Sequence, residues 1–448
     1  MTLKRFGHIA LCLIAGLAGI SCDGDRNAAT PDPIPAEKMV NLAFSVVAPD
    51  AVSQSESRAI VIDPDKDNYF EREDSQYEKI HTLRIIILRP GTDFQGNPVK
   101  DKDGKPILDN DGNPYKKIIE HNRFFTFNDN GVVRYDDMNI TVHGGENKTI
   151  YIIANEEGIN SNRPEGETAV NLSDLTPDDP YVAGTIEDIE IHAAGGILYD
   201  NRTEAATKTY IPMAEVYEDV YIEMPETPEL REQKVGPFFI TRAAVKFSFN
   251  ITAEDNEGLY LKSLTFNSLA DKEYLLPRNT EYKPEKPTFH QSNNSGKTDG
   301  IKNPSDTGNS DIDPDISGRF ITEYEIPEDA KHSPFTFNFK DENGFELKKK
   351  QTEIAPVIYF CESKFGLPFN GEPVANGTPY SVELVLHTKF GDQTVVATSE
   401  ELALGNLPIL PRNTHVKINI NLIKNEATVE LVPYTGVWLN PDFGIDRE

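Results

Sequence analysis

Carboxylates with metal-binding spacing are the first residues of this sequence that could do chemistry. Asp63, Asp65 and Asp67 alternate in "DPDKDNYFERED", and Asp74 stands where the final bidentate carboxylate of a calcium loop would lie. Asn68 replaces the glycine that such a loop needs for its sharp turn. The pattern therefore allows either a calcium site or a solvated acidic turn.

A second acidic run lies in "DKDGKPILDNDG", where four aspartates (Asp101, Asp103, Asp109 and Asp111) could converge on a cation. Asp-Gly pairs are equally typical of hairpin turns. The units "GNPV", "GKPI" and "GNPY" recur every eight residues around this run, and three units are too few for a solenoid. We expect a series of tight turns or short hairpins that projects from the N-terminal half.

One arginine, Arg58, is the only basic residue of the polar linker that follows the alternating strand "VNLAFSVV". The apolar run that begins at Ala59 comes directly after it. A single basic residue in a polar linker could mark the position where the chain is cut. An arginine without a function in a surface loop is the alternative.

Other catalytic signatures are missing from the sequence. It has no HExxH, no GxSxG, no P-loop and no GxGxxG after a strand. We expect no enzymatic activity and no cofactor apart from possible calcium; a calcium-dependent hydrolase would require the acidic loops to converge on one pocket. A formal charge of -29 would repel nucleic acid, so we expect no nucleic-acid partner.

The first 22 residues have the features of a bacterial secretory signal, with Lys4 and Arg5 before an apolar stretch. Their end, "GISC", resembles a lipobox, in which Cys22 becomes the lipidated first residue; an ordinary signal is the alternative. Residues 23–38 have the composition of a flexible tether. Cys361 then remains as the single thiol, and its apolar neighbours predict a buried core residue.

Strand patterns dominate the rest of the chain, and they predict a mostly β protein of two β-sandwich domains with few short helices. The predicted strands are 39–48, 82–89, 122–127, 148–154, 216–224, 238–251, 258–266, 355–361, 379–388, 393–398, 415–423 and 427–439. Short helices are expected at 168–176 and 181–190. The prolines and charges of 225–237 place the domain boundary near 230, which gives domains at 39–230 and 231–448.

The first strand has one apolar face, formed by Val40, Leu42, Phe44 and Val46. Burial of four such side chains stabilises a fold by roughly 6–12 kcal/mol. Removal of this strand would leave an apolar groove with unpaired backbone groups, which accepts a strand from another chain by β-augmentation.

The order of several motifs resembles the fimbrillins of Bacteroidales, the type V pilins typified by major and minor fimbrial subunits. The motifs are the lipobox and tether, "VNLAFSVV", "SESRAI", "KIHTLRIIILRP", "KTIYIIANEEG", "ITRAAVKFSFNI", "LPRNTHVKININ" and "VELVPYTGVWLNPDFG". Together they span almost the whole chain. The insertion at 90–118 and the long polar loop at 283–316 depart from the family pattern.

The resemblance implies transthyretin-like, Greek-key sandwiches and a stalk pilin that is exported as an outer-membrane lipoprotein. An arginine-specific protease would cut between Arg58 and Ala59 and release the removable strand within 39–58. The segment at about 427–448 of another subunit would then fill the groove. The donor residues expected from this resemblance are Val429, Leu431, Tyr434, Val437, Trp438 and Leu439.

The implied partners are other copies of the chain, other pilin subunits and a ligand on a host or bacterial surface. The implied location is a cell-surface fimbria that supports adhesion. Two alternatives remain at this stage: a tip or anchor subunit of the same fimbria, and a monomeric glycan-binding lipoprotein that stays anchored.

Overall fold

The computed structural model describes most of the strand-rich part of the chain. The described residues are 39–48, 78–93, 95–128, 130–132, 134–193, 199–200, 210–236, 238–252, 259–278, 325–338, 344–347, 352–363, 381–388, 391–398, 410, 412–421 and 426–433. Strands predominate among them, which confirms the mostly β class.

The first half contributes strands β1 (Met39–Val47), β2 (Thr82–Pro90), β3 (Lys117–Thr126), β4 (Arg134–His143), β5 (Glu146–Ala154), β6 (Glu190–His192), β7 (Tyr199–Asp200), β8 (Met213–Ile222), β9 (Glu232–Lys234), β10 (Phe238–Phe239) and β11 (Thr241–Arg242). The second half contributes β12 (Val245–Thr252), β13 (Tyr260–Ala270), β14 (Lys272–Tyr274), β15 (His332–Asn338), β16 (Phe345–Glu346), β17 (Thr352–Phe360), β18 (Ser381–Thr388), β19 (Gly391–Thr398), β20 (Thr414–Asn421) and β21 (Glu426–Pro433).

Two sheets form the sandwich that contains β1. In sheet 1, β1 lies between β4 and the short strands β9 and β10; sheet 2 has the order β11-β8-β5-β2-β3. Buried side chains of both sheets form one apolar core. Strands β2 and β5 are buried on both faces, because alternate residues such as Ile85 and Ile86 belong to different clusters. This burial explains the near-continuous apolar runs "LRIIIL" and "IYIIA".

Two further sheets form the second half. Sheet 3 has the order β21-β20-β12-β17-β7, and sheet 4 has the order β15-β13-β18-β19 with β16 also paired to β13. Aromatic side chains pack between them: the ring centroids of Phe247 and Phe266 lie 4.9 Å apart, as do those of Phe247 and Phe360. Sheet 3 also includes β7 from the first half, so the two halves share strands.

The chain just after the predicted boundary stays with the first half. Strands β9 and β10 pair with β1, and β11 pairs with β8. The single strand predicted at 238–251 is therefore wrong: three strands replace it, because the chain passes from sheet 1 through sheet 2 to sheet 3. The division into domains at 230 and 231 stays a prediction.

Helical structure among the described residues consists of short 3₁₀ turns, among them Glu156–Asn160, Leu172–Asp174 and Pro228–Arg231. The helix predicted at 168–176 shrinks to one of these turns, and 181–190 forms turns and the start of β6. Glu187 explains the second difference, since Tyr151 and Tyr181 both donate hydrogen bonds to its carboxylate and hold the segment irregular. No described helix is long and apolar enough to cross a membrane.

The β1 groove as the candidate functional site

The alternating side chains of β1 point into the core of the first sandwich. Val40, Leu42 and Val46 are fully buried, and Phe44 is 4% exposed. The intervening residues Met39, Asn41, Ala43 and Ser45 are half-buried. The apolar face predicted for this strand is therefore one wall of the core.

Both backbone edges of β1 are paired. One edge runs antiparallel to β4, from Met39 opposite His143 to Val47 opposite Arg134. The other edge runs parallel to β9 and β10. The ladder with β4 is irregular between Phe44 and Val46, where two residues of β4 face the single residue Ser45. We call the space between β4 and residues 232–239, above β2, β5 and β8, the β1 groove.

The strands that flank β1 were missed in the sequence. Asp136 and Asp137 lower the strand propensity of β4, although the alternation of Met138, Ile140 and Val142 was a usable signal, and all three are buried. Residues 232–237 read as a linker because of their charges and Pro237, and 238–239 were assigned to the longer strand predicted at 238–251. Their pairing with β1 is a tertiary contact that no local pattern predicts.

The floor of the β1 groove contains an aromatic pocket for Phe44. The ring of Phe44 meets Phe238 edge to face with centroids 5.1 Å apart, and Tyr217 of β8 lies 4.5 Å from Phe238. Such aromatic pairs stabilise packing beyond their buried area. At the Val40 end, Gly144 closes the groove: a Cβ on this glycine would lie 2.5 Å from the Glu223 carbonyl oxygen and 3.0 Å from Val40.

The chain returns to the described structure at Glu78, which is fully buried. Its carboxylate lies 3.1 Å from the Lys246 ammonium and accepts a hydrogen bond from the Tyr359 hydroxyl. Arg242 donates to the Glu78 carbonyl oxygen at 3.1 Å. Arg58 and Ala59 lie outside the described residues, between Ala48 and this buried anchor.

Asn155 holds the residues that follow Glu78, at the start of β2. It is buried with a left-handed backbone (φ +55°), a conformation that asparagine tolerates. Its side-chain amide donates to the Lys79 and Ile211 carbonyl oxygens at 2.8 Å, and its oxygen accepts from the His81 amide at 2.9 Å. The Ala-Asn motif therefore holds the start of β2 in place without using β1.

Strand β21 holds the first of the expected donor residues. It pairs antiparallel with β20, with Val429 opposite Ile418 and Leu431 opposite Val416. The described part of the strand predicted at 427–439 is Glu426–Pro433. Tyr434, Val437, Trp438 and Leu439 lie outside the described residues.

The aspartates of the Gly-x-Pro repeat act as turn acceptors. Asp101 accepts from the Asp103 and Lys105 amides at 2.9 and 2.8 Å, and Asp109 repeats this with Asp111 and Asn113. Gly96, Gly104 and Gly112, one in each unit, have φ of +78° to +82°. The series of tight turns predicted for this segment is therefore confirmed. The other calcium candidates, Asp63, Asp65, Asp67 and Asp74, lie outside the described residues, so calcium binding there stays a prediction.

Glu120, His143 and Glu146 form a cluster with metal-ligand geometry that the sequence did not reveal. The Lys148 ammonium lies 2.5 Å from a carboxylate oxygen of Glu120 and of Glu146. Burial alone would raise the pKa of Glu120, but Lys148 and His143 hold it well below its usual range. Arg89 also pairs with Glu146 at 3.0 Å. The cluster is thus a neutralised ion-pair network, with an amine where a cation would bind.

Two cysteines were assigned different roles from the sequence, and the structure describes one of them. Cys361 is fully buried, and burial raises the pKa of its thiol, so it is a core residue with little reactivity. Cys22, the expected lipidation site, lies outside the described residues. Lipidation therefore stays a prediction.

Comparisons with known proteins give structural similarities only. No protein-family model and no curated protein matches the chain. The tip fimbrial protein Mfa3 from Porphyromonas gingivalis with C-terminal truncation shares 12% identity over 88% of this chain and 98% of its own, with a TM-score of 0.42. A fimbrial assembly protein from Parabacteroides distasonis shares 9% identity over 88% of this chain and all of its own, with a TM-score of 0.36.

Identities and TM-scores this low leave the function to be inferred from the chain's own residues. Solved structures to which the chain is similar include these fimbrial proteins of Bacteroidales, the group whose sequence motifs it resembles.

Proposed function

We propose that this chain is a structural subunit of a cell-surface fimbria, matured by a cut after Arg58 and polymerised by strand exchange into the β1 groove. The observation that carries the proposal is the position of β1. It is paired on both edges and buries four apolar side chains, yet its connection to β2 runs through 49–77, the segment that contains Arg58.

A cut in that segment separates β1 from the rest of the fold cleanly. β1 and β2 belong to different sheets, so no pairing of β2 depends on β1. The anchor at Glu78 and the contacts of Asn155 hold the chain after the cut. The groove therefore keeps its remaining walls when β1 leaves.

An empty β1 groove would expose both apolar surface and the unpaired edges of β4 and residues 232–239. Such a site binds an extended strand strongly, because main-chain hydrogen bonds and apolar pockets act together. A strand supplied by a second copy joins two different surfaces, and a heterologous contact of this kind grows into a filament when it does not close.

Within the fimbria we assign the chain to the stalk, because it has both Arg58 and a segment after β21 that can be donated. The precursor is anchored in the outer membrane through lipid on Cys22. Its role is structural and not catalytic.

Limited digestion with an arginine-specific protease tests the proposal. The digested protein should lose the residues up to Arg58 by mass spectrometry and form a ladder of polymers on a native gel. The connection also contains Arg72, so the control variant carries both Arg58→Gln and Arg72→Gln. Treated identically, it should keep β1 attached and stay monomeric. Monomeric behaviour of the correctly cut protein would contradict strand exchange.

A further inference from the structure

Glu78 and Lys246 form a buried pair between the two halves of the fold. Glu78 precedes β2 and is fully buried, and Lys246 lies in β12 and is 7% exposed. The Nζ atom of Lys246 lies 3.1 Å from Oε1 of Glu78. An amine and a carboxyl group are the two reactants of amide formation. Because the fold holds them in contact, their effective concentration is far above that of free reactants.

The surroundings of the pair favour the neutral forms of both groups. Burial disfavours the charged forms, and the transfer of one proton from the ammonium to the carboxylate removes both charges. Arg242, which is also buried, donates to the Glu78 backbone carbonyl oxygen at 3.1 Å. Its guanidinium keeps its own charge and opposes a second positive charge on Lys246. Lys246 is therefore placed to react as a neutral amine.

Tyr359 supplies a hydrogen-bond donor to the carboxyl group. It lies directly opposite Lys246 in the β12–β17 ladder, and its hydroxyl donates to Oε1 of Glu78. Tyr359 is 1% exposed, so its hydroxyl is shielded from water. A fixed donor at this oxygen stabilises the negative charge that develops there when the neighbouring carbon is attacked.

Lys148 provides a comparison within the same chain. Its ammonium lies 2.5 Å from carboxylate oxygens of Glu120 and Glu146. His143 and Arg89 contact these carboxylates as well, and the pKa of Glu120 is held well below its usual range. An ionised carboxylate is a poor acceptor for an amine. We therefore expect the contacts of Lys148 to stay ionic.

We propose that Lys246 and Glu78 form an intramolecular amide bond, an isopeptide cross-link that joins the two halves of the chain. After proton transfer from the ammonium to the carboxylate, Nζ attacks Cδ of Glu78 and a C–N bond forms. One C–O bond then breaks, and the hydroxyl group leaves as water with a proton from Nζ, while Tyr359 holds the remaining oxygen. The reaction needs no oxidant and no other reactant. The cross-link lies after Arg58, so it is kept when the chain is cut, and it does not depend on the proposed function.

The intact mass of the denatured, uncut protein tests the cross-link directly. The wild type should be lighter than its sequence requires by the mass of one water molecule. Lys246→Arg keeps a cation at this position but cannot lose its proton, so this variant should have the full mass of its sequence. A wild type with the full mass of its sequence would overturn the proposal.

Digestion of the denatured wild type with trypsin locates the cross-link. Glu78 and Lys246 should be recovered in one branched peptide, because trypsin does not cut after an acylated lysine. The peptides that contain Lys148 should be recovered without modification. A loss of water that maps to Lys148 would overturn the assignment.

Tyr359→Phe tests the role of the hydroxyl. This variant keeps the buried ring and loses the donor, so the cross-link should form about a hundredfold more slowly than in the wild type. Intact masses at successive times after synthesis measure the rate. An unchanged rate would overturn the role of Tyr359, and the mass of the wild type decides on the bond itself even if the variant does not fold.

Discussion

β1 and β21 are both terminal strands of their halves, but the fold holds them in opposite ways. β1 is paired on both edges and forms part of a sandwich core, whereas β21 has β20 as its one partner in the described part of the chain. Loss of an edge strand exposes one new edge. Loss of β1 exposes two edges and a buried pocket.

This difference indicates that β1, and not β21, must be replaced by another strand when it is lost. A groove that has lost β1 is unstable until another strand fills it, so the cost of removal becomes the driving force for assembly. Among the described strands, β21 loses only its ladder with β20 if it is removed. The predictions below test this contrast from the largest expected effect to the smallest.

Phe44→Ala should destabilise the uncut protein by about 4 kcal/mol, because it empties the pocket beside Phe238. Ser45→Ala, one residue away and pointing outward, should change the free energy of unfolding by less than about 0.5 kcal/mol. Chemical denaturation of both variants measures the difference. Equal effects would mean that β1 is not a core strand.

Arg412→Leu should destabilise the β20–β21 side by about 3 kcal/mol, since it leaves the buried Glu362 carboxylate without its cation. Arg412 pairs with Glu362 and lies 3.6 Å from Glu273, and both carboxylates are buried. The exposed pair of Arg134 and Asp136 supplies the control, because Arg134→Leu should cost less than about 1 kcal/mol. Thermal unfolding distinguishes the two, and a neutral Arg412→Leu would show that this cluster does not support the sheet.

Glu273→Gln should change how stability depends on pH. Burial raises the pKa of Glu273 from 4.5 to about 8, with Arg412 opposing the shift and Glu362 adding to it. A folded pKa above the unfolded one makes stability highest below pH 4.5 and lowers it as pH rises through 8. The wild type should therefore lose about 3 kcal/mol more than Glu273→Gln between pH 5 and pH 8. If the free energies of unfolding of the wild type and of Glu273→Gln changed with pH by the same amount, the prediction would be wrong.

Asp101→Ala should cost about 1 kcal/mol through two lost turn hydrogen bonds, and Asp101→Asn should cost less because it keeps an acceptor. This turn lies outside β1 and β21. The change in free energy of unfolding measured there is therefore a baseline for the changes measured in those strands. Melting temperatures with calcium and with a chelator test the alternative role. A chelator-sensitive wild type and an insensitive Asp101→Asn variant would favour a calcium site.

Strand identity could be predicted where local pattern and burial coincide. β1 alternates without interruption, and β2 and β5 are continuous apolar runs, so their existence followed from sequence. β4 could not be predicted in the same way, because Asp136 and Asp137 interrupt its pattern. The apolar wall of the site was therefore visible in the sequence, and its two flanking strands were not.

The contacts of buried polar side chains were the least predictable part of the structure. Lys148 stands at the start of an apolar run and reads as a solvated residue, yet it is buried between two carboxylates. Glu78 and Asn155 gain their partners from segments more than 50 residues away. Such contacts depend on the assembled fold and leave no local signature.

A competition experiment tests the central claim most directly. The protein cut at Arg58 is mixed with a synthetic peptide of residues 39–48, and a scrambled peptide of the same composition serves as the control. If the β1 groove is the assembly site, the native peptide should refill it and abolish polymer formation, and the scrambled one should have no effect. Undiminished polymerisation in the presence of excess native peptide would contradict the account.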